Sequence, residues 1–123
     1  MAIYQIKEFH KWVKKNKIAK EKLLDAIKNI DGGSGVVDLG GDLYKIRIAK
    51  NKGKSSGYRT IIVHRKNFRS LFLHGYEKNE KANISNVELA FFKNYAADFL
   101  NYSEESIKKM LDTGDILKLE NEP

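Results

Sequence analysis

Apolar positions divide the chain into helical and extended stretches. Between residues 7 and 16, Phe9, Trp12 and Val13 stand at i, i+3 and i+4 among lysines and a histidine. That is the spacing of a short amphipathic helix. Leu23, Leu24, Ile27 and Ile30 repeat the signal over residues 19–30, and Asp31-Gly32-Gly33 closes it. Glycine takes the left-handed conformation past a helix terminus without a Cβ penalty. The two helices are expected to pair as an antiparallel hairpin.

Gly33 to Gly41 reads as a loop holding a short apolar piece, Val36-Val37. Three extended runs follow. In Leu43 to Ala49, Tyr44, Ile46 and Ile48 fall on one face, Lys45 and Arg47 on the other. Tyr58 to His64 is rich in β-branched residues, and Arg69 to His74 carries Leu71, Phe72 and Leu73. Short polar links between the runs predict an antiparallel meander. Ser85 and Glu88 form a capping-box pattern that opens a helix reaching Asn101, with Leu89, Phe92, Ala96 and Phe99 as its apolar stripe. Ser103 caps a last helix with Glu104 and Glu105 in its first turn, and Asp112-Thr113-Gly114 ends it before a small strand at Ile116 to Leu119.

These elements predict an α+β fold: an N-terminal helical hairpin packed on a small antiparallel β-meander, followed by C-terminal helices. At 123 residues one domain is expected, with a core over about residues 9–100 and a C-terminal helical extension over residues 101–123. No internal repeat or low-complexity segment interrupts it.

Composition narrows the function. There is no cysteine, which excludes a disulfide framework, a thiolate metal site and a cysteine nucleophile. The N-terminal stretch lacks the apolar core of a signal peptide, and no run suits a bilayer, so a soluble cytoplasmic protein without membrane contact is expected. From Leu43 to Tyr76 there is no Asp or Glu, while nine cations occur: Lys45, Arg47, Lys50, Lys52, Lys54, Arg59, Arg65, Lys66 and Arg69. The whole chain has a formal net charge of only +7, so positive charge is concentrated here. The segment from Asp98 onward is more acidic. Clustered charge of this kind points to a polyanion, with nucleic acid first.

Lys45 and Arg47, two apart on a strand, project from one face, and Arg59 begins the neighbouring strand. Cations on a rigid face suit a phosphodiester and the extra negative charge of a five-coordinate phosphorus. Gly53-Lys54-Ser55 resembles the end of a phosphate-binding loop, but the required earlier glycine is Ile48 and no helix follows. His64 and His74 end apolar strands at a spacing without metal-ligand logic; either can act as an acid or base. No Ser/His/Asp constellation follows from spacing. No metal or other cofactor is expected.

Tyr44-Lys45-Ile46-Arg47, then Ser55-Ser56-Gly57-Tyr58-Arg59, then Phe72-Leu73-His74-Gly75-Tyr76-Glu77-Lys78-Asn79, resembles the RelE/HigB-type toxins of toxin–antitoxin systems. The resemblance implies a ribosome-dependent endoribonuclease, an mRNA interferase, in which the ribose 2′-hydroxyl attacks the adjacent phosphate. By matched position it implies Lys45 as general base, Arg47 as a charge stabiliser, Arg59 as a clamp on the phosphate, and Lys78 as the acid. The turn cations Lys50, Lys52 and Lys54 are then grips on mRNA or on 16S or 23S rRNA, and Tyr58, Tyr76 or His74 contacts the bases. The implied partners are a cognate antitoxin, mRNA on the ribosome, and operator DNA through the antitoxin. The alternative on the same fold is a non-catalytic ParE-like toxin or a plain RNA- or DNA-binding module.

Overall fold

The computed structural model describes residues 1–33, 35–50, 57–79 and 83–121, the side chains of Glu120 and Asn121 excepted. Its elements in order are β1 (Ala2–Ile6), α1 (Lys7–Asn16), α2 (Lys20–Gly32), β2 (Val36–Gly40), β3 (Leu43–Ile48), β4 (Tyr58–Arg65), β5 (Arg69–Glu77), α3 (Asn86–Asn101), α4 (Glu104–Thr113) and β6 (Ile116–Asn121). The strands form one sheet of six in the order β2-β3-β4-β5-β1-β6. β1 runs parallel to β5; every other neighbouring pair is antiparallel.

The expected helical hairpin on a small antiparallel meander is therefore corrected. The chain opens with a strand, the sheet is mixed and twice as wide, and the β3-β4-β5 meander is its middle. The reason lies in β1. Ile3 points into the core under α1 and α2, while Tyr4 joins the core under α3 and α4. A strand buried on both faces shows neither alternation nor helical periodicity. Its partners are also distant in sequence, so no local pattern announces them. Val36-Val37, read as part of a loop, pairs with β3 as the start of β2.

Two cores result, one on each face of the sheet. Phe9 and Val13 of α1, and Leu23, Ala26, Ile27 and Ile30 of α2, pack on Ile46, Ile48, Ile62 and Phe72. On the other face Phe92, Ala96, Phe99 and Leu100 of α3 and Ile107 of α4 pack on Leu43, Ile61, Val63, Leu71 and Leu73. Each fully buried aliphatic or aromatic side chain contributes about 1.5–3 kcal/mol. The helix signals in the sequence hold: Ser85 and Glu88 form the reciprocal capping box, Ser103 caps α4, and Gly33 and Gly114 end α2 and α4 with φ of 76° and 83°.

Arg69 closes the junction between the last two helices. It is 3% exposed. One guanidinium nitrogen donates to the carbonyls of Phe99 and Tyr102, both at 2.9 Å, and the other to Glu104 Oε2 at 2.6 Å. These are the orphan carbonyls that a helix leaves at its C-terminus. Among the described residues no helix is long and apolar enough to cross a membrane.

Gly75 fixes how α1 sits on β5. A Cβ there would lie 2.3 Å from the Trp12 indole, closer than any real contact. Gly75→Ala is expected to displace Trp12 and destabilise the protein by about 1–3 kcal/mol, as overpacking does. A urea denaturation series with unchanged slope and a lower midpoint is the expected result.

Candidate functional site

α3 packs on the same face of β3, β4 and β5 that carries Lys45, Arg47 and Arg59 near the strand ends. Strand register arranges the side chains there as two rows. Lys45 pairs with Ile61, and Ile61 with His74; Arg47 pairs with Arg59, and Arg59 with Tyr76. Neighbouring strands stand about 4.8 Å apart and alternate residues about 6.8 Å apart. Lys45, Arg47, Arg59, His74 and Tyr76 therefore share one small patch. A bulge in β5 between the partners of Ile61 and Ile62 keeps this arrangement, since it returns His74 to the face that Leu71 also serves.

Arg47 and Arg59 stand directly opposite each other. Like charges in that position repel and destabilise a strand pair, so an anion bound between them is favoured. Gly57 lets the second arginine arrive there. Its φ is 62°, and a Cβ would lie 2.8 Å from the Ile48 carbonyl oxygen. Only glycine suits that conformation and that approach. The glycine of the Ser-Ser-Gly-Tyr-Arg run thus has a geometric reason. Ser55 and Ser56, with Lys52 and Lys54, lie outside the described residues.

The rim comes from the start of α3. Lys45 Nζ donates to Asn83 Oδ1 at 3.1 Å, and the same oxygen accepts the Ile84 N–H at 2.9 Å. Phe92 packs against His74 with ring centroids 5.4 Å apart, and His74 lies 5.8 Å from the Tyr76 ring. Burial pushes the Tyr76 hydroxyl above its ordinary value of 10.0; Glu88 adds to the rise and Arg59 opposes it. Tyr76 is 6% exposed and its hydroxyl is buried. The sequence marks Glu88 by the capping box and Phe92 by the apolar stripe; Asn83 carried no signal beyond its place before a helix.

Two other residues expected at the site, Tyr58 and Lys50, lie elsewhere, while Lys78 borders it. Tyr58 faces the α1 side, edge-on to Trp12 at 5.3 Å. Lys50 is on that side too, bonded to Glu77 Oε2 at 2.8 Å and over the Tyr58 ring. Lys78 is exposed just past β5, and its backbone N–H donates to the Gly57 carbonyl at 3.3 Å. Of the remaining cations in the basic window, Arg65 and Arg69 lie at the far end of the strands, about 20 Å from Arg59 along β4. Arg65 pairs with Asp42 there.

That far end also holds a Ser–His–Asp chain. His64 Nδ1 meets Ser70 Oγ at 2.6 Å, and Nε2 meets Asp31 Oδ1 at 2.9 Å. Ser70 is 0% and His64 3% exposed, and Met1 Sδ lies 3.7 Å from the serine oxygen. A nucleophile needs access to a substrate carbonyl, and this serine has none. The cluster ties the end of α2 to the sheet. No group of three or more His, Cys, Asp or Glu among the described residues could hold a metal ion.

The family described as RelE toxin of RelE / RelB toxin-antitoxin system matches residues 1–119. No curated protein matches the chain.

The two polar clusters should separate in stability measurements. His64→Ala removes one buried and one part-buried hydrogen bond and opens a cavity, and is expected to cost about 2–4 kcal/mol. Arg47 is exposed and outside both cores, so Arg47→Ala is expected to lower the melting temperature by less than His64→Ala does, read by calorimetry.

Proposed function

The chain belongs to the RelE toxin family, and on that premise we propose that it is a ribosome-dependent mRNA endoribonuclease acting in the cytoplasm. The observation that carries this reading is the register that places Lys45, Arg47 and Arg59 together on one face of the sheet. A toxin of this family implies a cognate antitoxin partner; operator DNA is reached through that antitoxin.

In the proposed reaction the ribose 2′-oxygen attacks the adjacent phosphorus while its proton passes to Lys45 Nζ. The bond from phosphorus to the 5′-oxygen breaks, and the departing oxygen takes a proton from Lys78. The products are a 2′,3′-cyclic phosphate and a 5′-hydroxyl. Arg47 and Arg59 hold the non-bridging oxygens as charge builds on them, and planar guanidinium groups match that geometry. The ring of His74, partly exposed, forms a wall against which a base can stack.

Acid–base help of this kind contributes on the order of 10²–10⁴ in rate. The remainder comes from holding the 2′-oxygen in line with its phosphate, which the ribosome supplies by fixing the mRNA. Lys52 and Lys54 keep the role of grips on ribosomal RNA. Lys50, paired with Glu77 on the opposite face, serves RNA only from that side.

On ribosomes carrying a defined mRNA, the wild type is expected to leave 5′-hydroxyl ends at codon spacing. Arg59→Ala should lower the single-turnover rate by about 10²–10³-fold. A 2′-deoxy substitution at the scissile nucleotide should stop cleavage. Intact mRNA with the wild type, or undiminished cutting of the deoxy substrate, would sink the proposal.

A further inference from the structure

We propose that Asn83 is a positioning residue for Lys45: its side-chain oxygen holds the lysine amine against the start of α3 and aims it over the strand face. This rests on the nuclease reading and names a residue that the reading does not include. Lys45 sits on β3 with a flexible four-carbon stem, partly exposed, and such a side chain carries about 2 kcal/mol of rotamer entropy. A base that sweeps a solvent cone spends little time in line with a 2′-hydroxyl. The bond from Lys45 Nζ to Asn83 Oδ1 at 3.1 Å removes that freedom.

The anchor is itself fixed. Asn83 Oδ1 also accepts the Ile84 N–H at 2.9 Å, and Ser85 follows as the N-cap of α3. The capping box is complete, with Glu88 N–H on Ser85 Oγ at 3.1 Å and Ser85 N–H on Glu88 Oε1 at 2.8 Å. α3 is anchored in turn by Phe92, Ala96 and Phe99 in the core. Lys45 is thereby referenced to a rigid helix as well as to its own strand.

The amide suits the task because it is neutral. A lysine that takes a proton must begin as the amine. An amine can donate one N–H to an amide oxygen while its lone pair faces the substrate. An amide oxygen also accepts from the ammonium, and its preference for that form is smaller than a carboxylate's because it carries no net charge. A carboxylate in the same place would favour the ammonium and would add negative charge beside the phosphate.

The test compares wild type, Asn83→Ala, Asn83→Asp and Asn83→Gln on programmed ribosomes, in single turnover across pH, with melting temperatures recorded. Asn83→Ala is expected to lose about 5–10-fold in rate with an unchanged melting temperature. Asn83→Asp keeps the hydrogen bond but adds a negative charge that favours the ammonium, and should cut more slowly than the wild type with a changed pH–rate profile. Asn83→Gln is expected to recover part of the alanine loss. A cutting wild type whose Asn83→Asp and Asn83→Ala variants keep its rate and profile overturns this inference alone. A wild type that leaves mRNA intact overturns the nuclease reading and this inference with it.

Discussion

The structure depends on the register of β4. This strand is hydrogen-bonded to β3 on one side and β5 on the other, and covered by helices on both faces. Ile61 and Val63 fill one core, Ile62 the other. A slip of one residue would send each set into the wrong core and expose Arg59 to the helices of the other face. The same register places Arg59 between Arg47 and Tyr76. Packing and chemistry are therefore fixed by one set of backbone hydrogen bonds, and the site is as rigid as the middle of the sheet.

Two glycines let the sheet carry that patch. Gly57 bends the chain back beneath the Ile48 carbonyl so that Arg59 enters β4 at the right place. Gly75 lets Trp12 lie flat against β5 from the opposite face. α1 thus supports the strand ends from one face, and the segment leading into α3 reaches them from the other through the Lys45–Asn83 bond.

Much of this was legible in the sequence. Alternation in Leu43 to Ala49 separated Lys45 and Arg47 from the core side chains, and caps at Ser85, Ser103, Gly33 and Gly114 marked helix ends. These signals are local, and local signals survive folding. β1 was not legible, since Ile3 and Tyr4 serve opposite cores and pair with residues far along the chain. Nor was the division of the basic window. Nine cations in one stretch of sequence read as one cluster, yet a hairpin sends Arg65 and Arg69 to the far end of the strands and Lys50 to the other face. Side-chain alternation could have placed Tyr58 opposite to Arg59, because neighbours on a strand never share a face. The bulge in β5 was beyond such reasoning, and it decides the side on which His74 lies.

The two polar clusters of this sheet show why residue types alone do not define a site. At one end Ser70, His64 and Asp31 have the composition of a hydrolytic triad, but their bonds are spent on one another and the serine is sealed. At the other end stand a lysine and two arginines, poor candidates by type for acid–base work. They are registered so that Arg47 faces Arg59, and the Lys45 amine donates to the neutral Asn83 amide. Residue type favours the first cluster, but burial rules it out, since Ser70 is sealed while Arg47 is exposed.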